Sequence, residues 1–470
     1  MITRVRARME WDIFINLTMK KLFFYALIIA LFAGCSGSSP DGWVELFNGK
    51  NLDGWVQRNG NAEYKVENKE IIGISKPNTP NSFLCTDKDY GDFILELELK
   101  VDTALNSGIQ IRSHSIPEFK DGRVHGYQIE IDPSSRGWSG GIYDEARNGW
   151  LYPVTPYNPA AKTAFKNNDW NYYRVEAIGN SIKTWVNGIP VADLVVDTDA
   201  SGFIALQVHS INVNKKPWTD GTTVRWRNIR IMTENLEANR KTDTPPVKQV
   251  NVIPNTLTDQ EKAEGWALLF DGKTMNGWRG ALKESFPDKG WVVKDGILEV
   301  LPKDEGGGGG DIVTVDQFDN FEIVFDFKLS EGANSGLKYY VTENDYGKGA
   351  LGLEYQVLDD KGHPDAKMGI DGNRTLASLY DLIPASQGKR FNGIGQWNTG
   401  RVIASNNHIE HWLNGFKVLE YERGSAGFKK TVSESKYKDM KNFGEAPKGH
   451  ILLQDHNDRV WFRNIKIKKL

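Results

Sequence analysis

A short run that could carry chemistry occurs twice in the chain. It reads Gly126-Tyr127-Gln128-Ile129-Glu130-Ile131-Asp132 in the first half and Gly352-Leu353-Glu354-Tyr355-Gln356-Val357-Leu358-Asp359 in the second. Both alternate polar with apolar side chains, and a β-strand sends such neighbours to opposite faces. The parity predicts Tyr127, Ile129, Ile131, Leu353, Tyr355 and Val357 in a core. It leaves Gln128, Glu130 and Asp132 on one open face and Glu354 and Gln356 on another, with Asp359 close by. Carboxylate and carboxamide at matched places suit the floor of a binding cleft in each half.

Neighbouring runs add cations and imidazoles by the same parity. Ile109-Gln110-Ile111-Arg112 presents Gln110 and Arg112, and Lys338 and Tyr340 take those places in the second half. Leu206-Gln207-Val208-His209 projects Gln207 with His209, and Leu453-Gln454-Asp455-His456 projects Gln454 with His456. If these strands are neighbours, each cleft holds groups able to bind a polyhydroxylated ligand and move protons. The glycine-rich loop from Arg136 to Trp150 supplies Trp138, Tyr143, Asp144, Arg147 and Trp150. Its tryptophans suit the C–H faces of sugar rings. The second half keeps Tyr380-Asp381 in the corresponding part but lacks the tryptophans, so the two clefts should take different ligands.

Strands must position these residues. Phe93 to Leu99 alternates, as does Phe321 to Phe327, and Asn187-Gly188 and Asn414-Gly415 are hairpin turns between apolar residues. With 47 Gly, 52 aromatic residues by the counts of 15 Trp, 16 Tyr and 21 Phe, and no long helical periodicity, an all-β chain of two-sheet sandwiches is expected. At 470 residues the chain is too long for one ordinary core. Collinear landmarks divide it. Gly42-Trp43 answers Gly265-Trp266, Asn106-Ser107-Gly108 answers Asn334-Ser335-Gly336, and Trp185-Val186-Asn187-Gly188 answers Trp412-Leu413-Asn414-Gly415. The reading is a tandem duplication, with one sandwich over 41–235, a linker over 236–262 and a second sandwich over 263–470. Thr242-Asp243-Thr244-Pro245-Pro246 breaks structure in the linker, and Thr258-Asp259-Gln260-Glu261 has capping-box spacing for a short helix. The five glycines Gly306 to Gly310 lack the Lys-Ser/Thr of a phosphate loop and predict a mobile loop instead.

A formal charge of −3 gives no electrostatic case for a nucleic-acid partner. Residues 1–35 read as an address. Translation starts at Met19 in this reading, and Lys20-Lys21, an apolar run from Leu22 to Ala33 and small residues before Cys35 make a secretory signal. Phe32-Ala33-Gly34-Cys35 resembles a bacterial lipobox, which makes Cys35 the lipidation site of an exported lipoprotein, periplasmic or anchored at the outer membrane or cell surface. Cys85, the other cysteine, reads as a buried thiol in a strand.

Together these motifs resemble the 3-keto-disaccharide hydrolase domain in both halves. Asn106-Ser107-Gly108-Ile109-Gln110-Ile111-Arg112, Gly126 to Glu130 and Gly202-Phe203 through His209 carry the likeness in the first half. Asn334-Ser335-Gly336, Glu354 to Val357 and Gly449-His450 through His456 carry it in the second. The resemblance implies concanavalin A-like jelly-roll sandwiches, a secreted protein of Bacteroidetes-like bacteria, and action on glycosides oxidised at C3. A ketone at C3 acidifies the C2 proton, so a base can remove it, expel the C1 substituent and leave an enone that water hydrates. His209 or Glu130 would be the base in the first half with Arg112 stabilising the enolate. His456 with Glu354, and Lys338 as the cation, would be the counterparts in the second. The pattern Glu-x-Gln stands in the second half and is inverted to Gln-x-Glu in the first.

Two other functions compete. A retaining glycosidase of laminarinase type needs Glu-x-Asp-x-x-Glu, and Ser135 stands where Glu130-Ile131-Asp132 requires the last glutamate. A carbohydrate-binding surface lipoprotein without catalysis would use tandem aromatic clefts equally well. No cofactor is assigned, although Asp132, Asp144 and Asp359 offer oxygen ligands to a divalent metal such as calcium, without diagnostic spacing.

Overall fold

The computed structural model describes residues 41–211, 221–243, 245–347 and 349–470. The signal segment and Cys35 lie outside the described residues. The chain divides into two compact units after Val252, each built from two β-sheets.

In the first unit, a seven-stranded sheet sets Ser107–His114 between His125–Ile131 and Gly202–Val208. The register pairs Gln110 with Gln128 and Gly108 with Glu130, and Ile109 with Leu206. Ile109, Ile129 and Leu206 turn inward and share one core with Leu95, Val175 and Trp226 of the nine-stranded sheet. Burying each such aliphatic side chain is worth about 1.5–3 kcal/mol, which holds the alternation in place and forces the polar set outward.

The second unit repeats this arrangement with a five-stranded sheet, where Asn334–Glu343 lies between Ala350–Leu358 and His450–Leu453. Lys338 pairs with Glu354, Gly336 with Gln356, and Leu337 with Leu453. Lys338 therefore stands where Gln110 does, and Glu354 where Gln128 does. Leu337, Tyr355 and Leu453 pack with Phe325, Val402 and Phe462 of the eight-stranded sheet.

One feature breaks the sequence parity in both units. The ladder shifts register after Ile111 and again after Tyr339, and Arg112 (φ 43°) and Tyr340 (φ 52°) lie in the left-handed region. The bulge adds a residue and swings the following side chain off the expected face. Arg112 is 1% exposed and donates to Gly91 O (2.9 Å), Gly179 O (2.8 Å) and Asp92 Oδ1 (2.9 Å). Tyr340 is buried in the core cluster with its hydroxyl donating to Asp319 O (2.5 Å).

The five-glycine run is a packed loop rather than the free one its composition predicts. Trp291 Nε1 donates to Gly310 O (2.9 Å), and Gly310 N donates to Asp455 Oδ2 (2.9 Å). A Cβ at Gly309 would come 2.1 Å from Lys289 O, so close approach of backbone to backbone explains the composition. Around the boundary, Gln249–Asn251 adds a parallel edge strand to the first unit. The helix Asp259–Ala263 opens with the Thr258/Glu261 capping box and belongs to the second. Cys85 is fully buried, and burial pushes its thiol up to about 12, which makes it a poor nucleophile.

Candidate active-site clefts

Each unit carries a cleft over the floor that its paired strands build. Glycine decides the local geometry of both floors. A Cβ at Gly108 would lie 2.4 Å from the Gln128 side chain, and one at Gly336 would lie 2.4 Å from Glu354 Oε1. The Asn-Ser-Gly motifs thus leave room for a long polar side chain to lie across the neighbouring strand.

The first cleft encloses about 810 Å³ and is lined by Gln128, Glu130, Arg136, Tyr143, Trp150 and His209 among others. Its floor hydrogen bonds are largely closed on themselves. Glu130 Oε1 accepts from Asn106 Nδ2 (2.9 Å) and Arg136 Nη2 (3.0 Å), and Oε2 accepts from Gln128 Nε2 (3.0 Å). Gln128 Oε1 accepts in turn from Gln110 Nε2 (2.8 Å) and Gln207 Nε2 (2.7 Å), so Gln110 and Gln207 lie buried behind it. Burial raises the Glu130 carboxyl, opposed by its Asn106 and Gln128 bonds. His209 Nδ1 lies 2.8 Å from Ser210 O. Tyr143 and Trp150 meet edge to face at 5.2 Å. Trp138 stands behind Trp150 at 4.6 Å, with its indole N–H on Thr155 Oγ1 (2.7 Å) and the Arg136 guanidinium stacked above.

Several expected site residues sit elsewhere. Arg112 is turned away by the bulge, and Arg136, Lys120 and Arg123 are the cations that line this cleft. Asp144 accepts from Arg147 Nε (2.8 Å) and Asn148 Nδ2 (2.6 Å), while Arg147 also binds Asp199, so both hold a loop together. Asp132 accepts from Arg136 Nε (2.8 Å) and Ser134 N (3.0 Å) and caps its own turn. Asp359 accepts from the backbone at Gly332 (2.8 Å) and Lys361 (3.1 Å). Donors of the protein occupy these three carboxylates, and they do not gather for a cation. Among the described residues, the group with metal-ligand proximity is His408, Glu410 and Glu420, outside both clefts and tied into ion pairs with Lys417 and Glu422. No cofactor is established.

The second cleft is tighter, about 490 Å³, and gathers Lys338, Glu354, Gln356, Tyr380, Gln454 and His456 together with Asn334. Its floor is buried but its hydrogen bonding is incomplete. Asn334 is 5% and Gln356 1% exposed, yet Asn334 Oδ1 and both amide atoms of Gln356 lack a protein partner. Buried polar atoms are rarely left so, because each costs about 1–3 kcal/mol. Such atoms lining a cleft are a ready set of contacts for hydroxyl groups. Gln454 links the rest. With its amide turned to satisfy its neighbours, the nitrogen lies 3.3 Å from Glu354 Oε1, the oxygen 3.1 Å from Lys338 Nζ, and both lie 3.0 Å from His456 Nε2. Lys338 Nζ is also 3.9 Å from Glu354 Oε2 and 3.7 Å from Asp311 Oδ2.

Electrostatics assign protonation states in this cleft. Desolvation by its surroundings, then the Lys338 ammonium, holds His456 below the ordinary histidine value although the ring opens to the cleft. Burial raises the Glu354 carboxyl, opposed by Lys338 and Lys436. His456 is thus neutral near pH 7 and able to accept a proton. Among the described residues Glu354 is the carboxylate that lines this cleft, with Asp311 close to Lys338 beside it. Sequence parity did not reach Lys436, Tyr437 and Met440, which line this cleft from a segment outside the sheet. Asn334 was visible in its motif, but its unpaired oxygen was not.

The family described as 3-keto-alpha-glucoside-1,2-lyase-like domain matches residues 42–232 and again 265–468. A protein of Bacteroides thetaiotaomicron named 3-keto-disaccharide hydrolase is 39% identical over 234 residues, 44% of this chain and 79% of that protein. A solved structure of a candidate glycosyl hydrolase from Parabacteroides distasonis ATCC 8503 shares 33% identity, covering 46% of this chain and 100% of that one, at a TM-score of 0.41. A second such structure from the same organism shares 28% identity over 44% of this chain and 99% of that one, at a TM-score of 0.35.

Proposed function

Since the chain belongs to the 3-keto-alpha-glucoside-1,2-lyase-like family of hydrolytic enzymes, we propose that its second cleft cleaves 3-keto-glycosides by elimination followed by hydration. The observation that carries this reading is the buried, unpaired amide set of Asn334 and Gln356 beside the Lys338–Glu354–Gln454–His456 cluster. Asn334 and Gln356 bind the hydroxyl groups of the oxidised sugar. His456 removes the proton at C2, and the electrons pass into the C3 carbonyl. Lys338 stabilises the enolate oxygen so formed, in a buried setting where a fixed cation acts strongly. Collapse of the enolate breaks the C1–O bond. Water then adds at C1, and His456, its proton exchanged with solvent, protonates C2. Glu354 fixes Gln454, and Gln454 aims the imidazole.

The decisive experiment runs the reaction of a 3-keto-disaccharide in D2O and reads the released 3-keto-sugar by NMR. Elimination and hydration place deuterium at C2 of the product. Release of undeuterated 3-keto-sugar, or equal cleavage of the unoxidised disaccharide, would exclude the mechanism.

The first cleft supports saccharide binding, through the Tyr143 and Trp150 rims over a floor whose carboxylate already holds Arg136. For address, the lipobox-like Phe32-Ala33-Gly34-Cys35 supports export and anchoring through Cys35. Cells grown with a radiolabelled fatty acid should label the protein, and Cys35→Ser should abolish the label. Persistent label in that variant would refute the anchor.

A further inference from the structure

The segment that closes the second cleft has no counterpart of similar length in the first unit. Strands Phe416–Glu422 and His450–Leu453 are joined by residues 423–449, whereas the matching strands Ile189–Val195 and Gly202–Val208 are joined by residues 196–201. The longer connection is firmly built. Ser425 caps the helix Ala426–Ser433 by accepting from Phe428 N (3.2 Å), and Phe428 stacks on Tyr421. Tyr437 stacks on Phe443 at 3.9 Å, and the Arg423 guanidinium lies 3.9 Å over the Tyr340 ring. Lys436 N donates to Asp381 Oδ2 (2.9 Å), while Asp381 Oδ1 accepts from Arg374 Nε (2.6 Å). A rigid frame thus delivers the Lys436 side chain to the cleft wall.

Its ammonium lies 4.1 Å over the Tyr380 ring, and among the described residues no carboxylate is within ion-pairing distance. Lys338, by contrast, stands on the floor near Glu354 and Asp311 and is the cation placed for the enolate. The elimination needs one more group, because the oxygen leaving C1 departs as an alkoxide unless it is protonated. Tyr380 and Tyr437 also line the wall, but burial raises both phenols and makes them poor acids.

We propose that Lys436 is the general acid of the second cleft, giving its proton to the glycosidic oxygen as the C1–O bond breaks. This rests on the elimination proposed above. The balance is closed. The C2 proton goes to His456, the C2–H electrons form the C1=C2 bond of the enone, and the C1–O electrons leave with the aglycone oxygen, which takes the Lys436 proton. The neutral amine then takes a proton from the water that bonds to C1, and His456, after exchange with solvent, protonates C2. Lys436 is exposed as a residue, but its ammonium is partly desolvated against the cleft wall. That desolvation, opposed by Glu354 and Asp381 and aided by Arg374 and Lys338, holds it below the ordinary lysine value and makes it a better acid.

The test compares two leaving groups in the full chain. One substrate is a 3-keto-disaccharide, whose sugar alkoxide needs a proton; the other is a 4-nitrophenyl 3-keto-glucoside, whose phenoxide leaves without one. Lys436→Met should slow aglycone release from the disaccharide by ~100-fold or more and from the nitrophenyl glucoside by less than ~5-fold. Lys436→Arg should show the same split, because a guanidinium keeps its charge but does not release its proton. Equal losses on both substrates, restoration by arginine, or no loss at all would each overturn the assignment. Should Lys436→Met fail to fold, the arginine variant decides alone. Failure of the unsubstituted protein to turn over either substrate would instead overturn the elimination itself, and this role with it.

Discussion

His456→Ala should lower turnover of a 3-keto-disaccharide by ~10²–10⁴-fold, the range for a lost general base. The imidazole lines the second cleft, and Gln454, itself in reach of Glu354 and Lys338, orients it. Desolvation and the Lys338 charge hold the ring below its ordinary value of 6.5, so the deprotonated form prevails at neutral pH and persists somewhat below 6.5. A base must be deprotonated to act, so kcat/KM should be flat through neutral pH and fall as pH drops through the lowered pKa. A pH profile of the unsubstituted protein and of His456→Ala checks both points. An unchanged rate in the variant, or an acid limb above 6.5, would remove His456 from the base role. His209 offers the internal control, since His209→Ala leaves the second cleft intact and should leave this turnover largely in place.

Lys338→Met should cost ~10²–10³-fold in kcat, the scale of removing one preorganised group that stabilises an oxyanion. A second readout separates this role from mere packing. Without the ammonium that depresses it, the His456 pKa should rise, and the acid limb of the profile should move up with it. Glu354 also loses its nearest cation, so the variant should unfold more easily in denaturant, and Lys338→Met/Glu354→Gln should recover stability without recovering turnover. Loss of rate with an unmoved acid limb would show that Lys338 does not sit in the field of the base.

Much of both floors was legible from strand parity. Ile129 and Tyr355 are fully buried, so Glu130 and Glu354 had to lie on the other face, and Glu130 shares a cavity with His209 as Glu354 does with His456. Arg112 was not legible, because one added residue at a bulge reverses every inference from alternation. Asp144 and Asp359 misled for another reason. A carboxylate next to a glycine-rich loop serves ligand and backbone with the same oxygens, and only coordinates show that Arg147 or Gly332 N already holds them.

By itself, the sequence determined the two-sandwich plan and the inward and outward alternation of the floor strands, because burial of alternating apolar side chains is a local, period-two constraint that residue order states directly. Tertiary structure alone decided how those residues are used. With acid and amide exchanged between Gln128/Glu130 and Glu354/Gln356, Gln128 and Glu130 bond to each other in one floor, while both amide atoms of Gln356 are unpaired in the other. The segment that joins Phe416–Glu422 to His450–Leu453 brings Lys436 to the wall of that second cleft. Hydrogen-bond completion and the charge on a desolvated side chain depend on which groups meet across strands and loops, and pairings of that kind are set by the fold as a whole.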